Sequence, residues 1–360
     1  MRVLVLGGTG AMGAHLVQLL SSNGIETVVT SRQNRSPNGK VRYIQGDAKD
    51  IQFLQQILRE RWDAIVDFMV YTTAIFKERA GLLLNAASQY VFLSSSRVYG
   101  NEEPVISETS PRLLESSRDN EFLATDEYSL AKARQEDVLR NSGRKNWTII
   151  RPYITYSENR LQLGVFEKED WLYRALQGKT IVFSEDINTK TTTLTYGLDA
   201  ARGIVSIIGK AEALGETFHI TTDKKEAKTW AEILAMYLMV LEKHLGHKPA
   251  VLLQSLDKFL ELRNHSAQYQ VVYDRLFNRV FDSSKIASYI DTNSFTTVET
   301  GLVTCLEAFL RNPQFKNISW RIMAKMDRQT GEKTALSEIP GIKQKVKYLI
   351  FKCGLGGICR

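Results

Sequence analysis

The sequence predicts an α/β protein: a doubly wound parallel sheet joined to a smaller, mainly helical C-terminal substrate domain. Three observations carry this. A short apolar run, Val3 to Leu6, breaks into Gly7, Gly8, Gly10 and Gly13 and passes at once into a helical pattern through Ala14, Leu16, Val17 and Leu20. Strand-length apolar runs then alternate with helix-length stretches up to Arg151, the order that builds a parallel sheet. Past Ser157 the alternation loosens and helical patterns dominate.

Val3 to Leu6 reads as a fully buried parallel strand because it is a continuous short apolar run. The glycines after it permit a tight turn, a close backbone approach to a pyrophosphate, and packing of the helix near the strand. A helix N-terminus follows, so Gly7, Gly8, Thr9, Gly10, Ala11, Met12 and Gly13 read as a dinucleotide cradle on a Rossmann-type sheet. Thr27 to Thr30 is the second strand. An acid at its end would take ribose hydroxyls and favour NAD, whereas an arginine accommodates the extra phosphate of NADP. Ser31, Arg32 and, a little later, Arg35 stand there without an acid. The expected cofactor is therefore NADP, with NAD as the other possibility.

Val41 to Ile44 is the third strand, ending in Gly46 and Asp47. Ile51 to Leu58 is a helix, Ala64 to Phe68 the fourth strand, Thr73 to Ser88 a helix, and Tyr90 to Leu93 the fifth strand. That strand runs into Ser94, Ser95, Ser96, Arg97, Val98, Tyr99 and Gly100. Ligands of open parallel sheets sit beyond the carboxyl ends of the strands, so three hydroxyls there are placed to meet a substrate. A polar loop from Asn101 to Thr125 leads to a helix from Glu127 to Leu139, and Trp147 to Arg151 is a further strand closed by Pro152.

Later, Phe166 to Leu176 reads as helical, Thr180 to Phe183 as extended, and Asn188 to Thr195 as polar and threonine-rich. Helices are expected at Leu198 to Ile208, Trp230 to Leu245, Ser255 to Leu262 and Glu299 to Leu310, with a strand at Thr217 to Thr221. Residues 1–157 are expected to form the nucleotide-binding domain, with 191–222 returning to it. Residues 158–190 and 223–360 are assigned to the substrate-binding domain and a basic tail.

The bulk composition excludes several classes. A chain of 360 residues, 43% hydrophobic and 24% charged, suits a soluble two-domain protein. No stretch approaches the roughly 20 apolar residues that span a bilayer, and the N-terminal apolar run is already the first strand rather than a signal peptide. Cys305, Cys353 and Cys359 lack paired spacing, which argues against disulfides or zinc and for a reducing cytoplasm. His15, His219, His244 and His247 have no ligand spacing, so no metal is expected. The net charge is +7, and Lys343, Lys345, Lys347, Lys352 and Arg360 face no acid in the last stretch. From Ile342 to Leu355 lysines alternate with apolar residues. The expectation is that this tail docks its apolar side on the protein and leaves the lysines wet, without membrane association or specific nucleic-acid binding.

Tyr128 and Lys132 are four apart and share a helix face. A nearby ammonium and an oxidised nicotinamide both favour the phenolate of a tyrosine, which can then take the proton of an alcohol as hydride leaves its carbon. Tyr348 and Lys352 have the same spacing, but only Tyr128 follows a glycine-turn domain and a serine-rich strand end.

The order Gly-Gly-Thr-Gly-Ala-Met-Gly, Gly-Asp, Ser-Ser-Ser-Arg-Val-Tyr-Gly, Tyr-x-x-x-Lys and Arg-Pro-Tyr resembles the extended short-chain dehydrogenase/reductase superfamily, and within it the NAD-dependent epimerase/dehydratase family. The resemblance covers residues 1–220 well and the rest loosely. It implies Tyr128 as catalytic base, Lys132 on the nicotinamide ribose, and Ser95 as the catalytic hydroxyl with Ser96 in reserve. It further implies Asp47 at the adenine, Tyr153 in the loop over the nicotinamide, and a nucleotide sugar as substrate. A homodimer is implied too, with Ala74, Ile75, Leu82, Leu83 and Ala86 as an apolar stripe for it. Ser96-Arg97 replaces the Asp-Glu of the dehydratases, which argues against a 4,6-dehydratase. The readings left open are an epimerase, a ketone reductase of a non-sugar substrate, and a non-catalytic nucleotide- or RNA-binding member of the fold.

Overall fold

A computed structural model describes residues 1–355. In chain order its first elements are β1 (Arg2–Leu6), α1 (Gly13–Ser22), β2 (Glu26–Ser31), β3 (Val41–Gln45), α2 (Ile51–Ile57), β4 (Trp62–Asp67), α3 (Thr73–Ala86) and β5 (Ala87–Leu93). There follow α4 (Leu113–Ser116), α5 (Asn120–Ala124), α6 (Tyr128–Arg140), β6 (Trp147–Arg151), β7 (Ile154–Tyr156), α7 (Leu172–Leu176), β8 (Ile181–Ser184) and α8 (Glu185–Asn188). Next come β9 (Thr191–Thr192), β10 (Leu194–Tyr196), α9 (Gly197–Ile207), β11 (Glu216–His219), β12 (Lys228–Thr229), α10 (Trp230–Leu245) and β13 (Val251–Gln254). The last helices are α11 (Leu256–Leu260), α12 (His265–Gln270), α13 (Ser284–Ala287), α14 (Val298–Arg311), α15 (Trp320–Thr330) and α16 (Gly341–Lys352).

Seven parallel strands form the main sheet in the order β11-β6-β5-β4-β1-β2-β3. Alternation along each strand sends neighbours to opposite faces, which the unbroken apolar run of β1 requires. Val3 and Val5 pack with Val29, Val66, Leu16 and Leu20 of α1, and Ile204 and Ile207 of α9. Leu4 and Leu6 pack on the other face with Ile65, Phe92, Phe76 and Leu83 of α3, and Leu139 of α6. Both faces are covered, as a doubly wound sheet demands.

The chain divides into two compact units. The first comprises residues 1–157, 193–227 and 279–301, and the second residues 158–192, 228–278 and 302 onward. The segment 279–301, which the sequence reading kept with the rest of the C-terminal part, belongs to the first unit for a visible reason. The buried Arg279 donates to Gly100 O (2.7 Å) and Tyr99 O (3.0 Å), and Ile106 pairs in a β-bridge with Phe281.

Some boundaries differ from expectation. α3 stops at Ala86, and Ala87 already pairs with Trp62 in the sheet, so Ser88 is a strand residue. Helix in the stretch read from Phe166 begins only at Leu172, because Leu163 and Phe166 exchange backbone hydrogen bonds in a tight bridge. In the second unit, α10 buries Trp230, Ile233, Tyr237 and Leu241, and Trp171 stacks on Tyr237 at 4.6 Å.

The tail departs from expectation in how it docks. α16 packs on α15 through Tyr348, 3% exposed, whose hydroxyl donates to Asp327 (2.7 Å) and accepts from the Thr334 N–H (2.9 Å). Lys352 turns inward and donates to the Asp327 carbonyl (2.7 Å). Ile342, Val346 and Leu349 are left outside. Cys359, Arg360, Gly356 and Gly357 lie outside the described residues.

Candidate active site

β1 is followed at once by Gly7, whose φ of +73° is open to glycine and costly for other residues. At Gly13, the first residue of α1, an added Cβ would stand 2.7 Å from the Cα and carbonyl carbon of Gly8. Only glycine lets α1 start this close to the strand. Gly8 is buried in the same corner, whereas Gly10 faces open space with nothing within 4 Å. Met12 packs on the core, and the Ala11 carbonyl is approached by Gly197 at the start of α9. The first turn of α1 has no acid, so its positive end is uncompensated.

Beside this turn lies a cavity of about 340 Å³ lined by Gly7, Thr9, Thr30, Ser31, Arg32, Asp47, Lys49 and Met69, among others. The structure thus gathers Gly7, Thr9, Ser31, Arg32 and Asp47 around one space. Ser31 is nearly buried and accepts the Gln33 N–H (3.2 Å), while Arg32 is exposed. Asp47 spends one oxygen on the Lys49 N–H (2.9 Å). Lys49, a second cation at the cavity, was not singled out from sequence. The empty space over Gly10, the dipole of α1 and the cavity fit a dinucleotide.

At the end of β5 the three serines have separate fates. Ser94, buried, donates to Glu136 Oε1 (2.5 Å). Ser96, fully buried, donates to the Arg151 carbonyl (2.8 Å). Among the described residues Ser95 makes only a local bond, accepting the Arg97 N–H (3.2 Å) as it caps the short turn Ser96–Val98. That leaves the hydroxyl of Ser95 its own proton to donate.

Tyr128 opens α6, and Glu127 caps that helix by accepting the Ser129 N–H at 2.7 Å. The Arg97 guanidinium lies 5.1 Å over the Tyr128 ring and pairs with Glu127 (2.6 Å). One turn along, Lys132 is buried, 6.0 Å from the Tyr128 ring and 4.5 Å from that of Phe92, and it donates to the Leu93 carbonyl (2.6 Å). Burial pushes the Lys132 ammonium down to about 8, against the opposing pull of Asp67 and Glu136. Asp67 ends β4, accepts from the Met69 N–H and the Tyr90 hydroxyl (both 2.9 Å), and is pushed up by burial.

Behind these residues stands a buried polar network that sequence reading did not find. Glu136, one further turn along α6, accepts from Arg151 Nε (2.8 Å) and Nη2 (2.5 Å) and from Arg112 (3.2 Å). Burial alone would raise its carboxyl, but Arg151, Ser94 and Arg112 outweigh that and hold it below the usual range. Arg151 also donates to the Tyr99 hydroxyl, which lies 2.6 Å from His219 Nε2. Burial pushes His219 down to about 3, so the ring is neutral, and its Nδ1 lies 3.0 Å from the Asp282 carbonyl. With Nδ1 donating there, Nε2 must accept from Tyr99. The one available signal was spacing: Lys132 and Glu136 share a helix face. Tyr153 is not among the residues that line the glycine turn's cavity. It is buried, with its ring 5.1 Å from that of Phe281 and beside Arg279.

Comparison with known proteins bears on the fold and the family. The chain is 24% identical over 243 residues to the chloroplast stem-loop binding protein of 41 kDa b of Arabidopsis thaliana, covering 62% of this chain and 59% of that one. It is 31% identical over 162 residues to a UDP-glucose 4-epimerase of Lacticaseibacillus casei, covering 39% of this chain and 46% of the relative. The chain thus spans about half the length of the curated relatives it matches. Among solved structures, the Bordetella bronchiseptica enzyme WbmH in complex with NAD+ superposes with a TM-score of 0.66 at 15% identity, covering 87% of this chain and 99% of that one. The UDP-glucuronic acid 4-epimerase of Bacillus cereus in complex with NAD gives 0.65 at 17% identity, covering 86% and 99%. These two likenesses establish the shared fold. The model of the NAD dependent epimerase/dehydratase family matches residues 3–221, and with its glycine turn, serine-rich strand end and Tyr-x-x-x-Lys helix the chain belongs to that family.

Proposed function

We propose that the protein is an NAD(P)-dependent enzyme that acts on a hydroxyl or keto group of a nucleotide sugar by hydride transfer, as an epimerase or a one-way reductase. A nicotinamide dinucleotide held by residues 7–13, Ser31, Arg32, Asp47, Lys132 and Tyr153 would accept and return hydride. The residues of the chain supply the rest. Ser95 hydrogen-bonds the reacting substrate oxygen. Tyr128 exchanges a proton with that oxygen, and the cations of Arg97 and Lys132 beside its ring favour the phenolate it needs. Glu136 and Arg151 hold Ser94 and the strand end in place.

The observation that most supports this reading is the division of labour at β5: Ser94 and Ser96 are committed to the scaffold, and Ser95 is not. NADP is our reading of the cofactor, resting on Arg32 and Lys49 at the cavity. The nucleotide-sugar substrate rests on relatives whose names specify UDP-sugars.

Tyr128→Phe tests the reading. Turnover of a UDP-sugar panel should be lost while cofactor affinity stays within a few-fold, because the ring still packs and only the ionisable oxygen is gone. Turnover within tenfold of wild type would remove Tyr128 as the base. A second reading, RNA binding without turnover, is favoured by the stem-loop binding relative and the net charge of +7. Salt-sensitive binding of stem-loop RNA by a chain that turns over no UDP-sugar would select it.

A further inference from the structure

Docking through Tyr348 gives α16 an unusual outer face. Ile342 is 81% exposed, Val346 49% and Leu349 43%. At 3.6 residues per turn these three lie together, about 100–160° around the helix from Tyr348. Lys345 borders the stripe on one side, and Lys343 and Lys347 border it on the other. The last acid in the chain is Glu338, so no carboxylate shares this helix.

An apolar stripe edged by lysines on both sides is the pattern of a helix that lies in a membrane interface: the apolar groups enter the headgroup boundary while the lysine stems reach outward to phosphates. Two alternative occupants fit less well. A second copy of this helix would bring two rows of lysines face to face. A membrane-spanning role is closed to α16, since no helix among the described residues is long and apolar enough to cross a bilayer.

We propose that α16 is a membrane-surface contact through which the protein associates reversibly with an anionic leaflet. One short stripe with three flanking lysines gives weak, salt-sensitive attachment rather than permanent anchorage.

The test is sedimentation of the whole protein with vesicles of phosphatidylcholine, or of phosphatidylcholine and phosphatidylglycerol in equal parts. Partition onto the anionic vesicles should be about a hundredfold stronger, as expected for three lysines near the surface, and should fall as salt rises. The double variant Val346→Glu/Leu349→Glu should abolish it. So should Lys343→Gln/Lys345→Gln/Lys347→Gln, whereas the triple arginine variant should keep it. All these positions are at the surface, so the melting temperature should hold. Equal partition onto both vesicle types, or binding that survives the double glutamate variant, would overturn the proposal. A dimer in light scattering that the same variant dissociates, without vesicle binding by the wild type, would assign the face to a second copy instead. None of these readouts depends on turnover.

Discussion

At position 132 an ammonium is enclosed by Phe92, Tyr128 and the Leu93 carbonyl and is pushed from 10.5 down to about 8 by burial. Below about pH 8 both folded and unfolded chains carry this proton. Between about 8 and 10.5 only the unfolded chain holds it, so this residue makes stability rise with pH across that window. Lys132→Met removes the effect. The wild-type minus variant difference in unfolding free energy, from urea melts, should climb by on the order of 2–3 kcal/mol between those pH values; a flat difference would refute the shift. At the other end of the site Arg32 is exposed at the cavity with no acid at the end of β2. NADPH should bind more tightly than NADH, and Arg32→Ala should narrow the gap by about 1–3 kcal/mol, the scale of a hydrogen bond to a charged group. A titration with NADH clearly tighter would end that argument. Tyr128, Lys132 and the serine triplet could be proposed from sequence because residue type and spacing suggest their chemistry. Glu136, Arg151, Tyr99 and His219 were not, because their partnership joins residues up to 120 positions apart.

Among the elements, the turn between β1 and α1 makes a sharp contrast available. A methyl at Gly13 meets backbone, which cannot rotate aside, whereas a methyl at Gly10 meets nothing. Gly13→Ala should cost about 1–3 kcal/mol of stability and weaken cofactor binding. Gly10→Ala should leave the melting temperature of the free protein unchanged. Equal melting temperatures for the two variants would show that α1 can back away from the strand. Strands of the main sheet were readable as apolar runs because both faces are buried. α15 escaped notice because its inward side includes Asp327, a charge that Arg174 and Lys179 neutralise and Thr334 and Tyr348 hydrogen-bond only once the chain has folded. The same residue explains why α16 docks by a tyrosine and a lysine while aliphatic side chains stay outside: its carboxylate takes Tyr348 and its main-chain carbonyl takes Lys352.

At the scale of the whole molecule, the homodimer implied by family resemblance has less surface than the sequence suggested. Leu83 and Ala86 are buried against the sheet, leaving Ala74, Ile75 and the half-buried Leu82 toward the outside of α3. If this face pairs two copies, light scattering at micromolar concentration should give twice the chain mass, and Ile75→Arg should halve it without lowering the melting temperature of the monomer. A monomer in the wild type would assign the stripe to the sheet alone.

The chain returns twice to its first unit, and this sets an order of events during synthesis. A nascent chain that has emerged as far as Arg151 owns six of the seven strands but lacks β11 on one edge. It also lacks Arg279, which satisfies the carbonyls of Tyr99 and Gly100. At about 5–20 residues per second, the stretch from there to residue 301 takes on the order of 10–30 s to appear. Until β11 (Glu216–His219) has emerged, β6 is an open sheet edge, the kind of surface that chaperones hold. The first unit is therefore first in sequence and among the last parts to be completed.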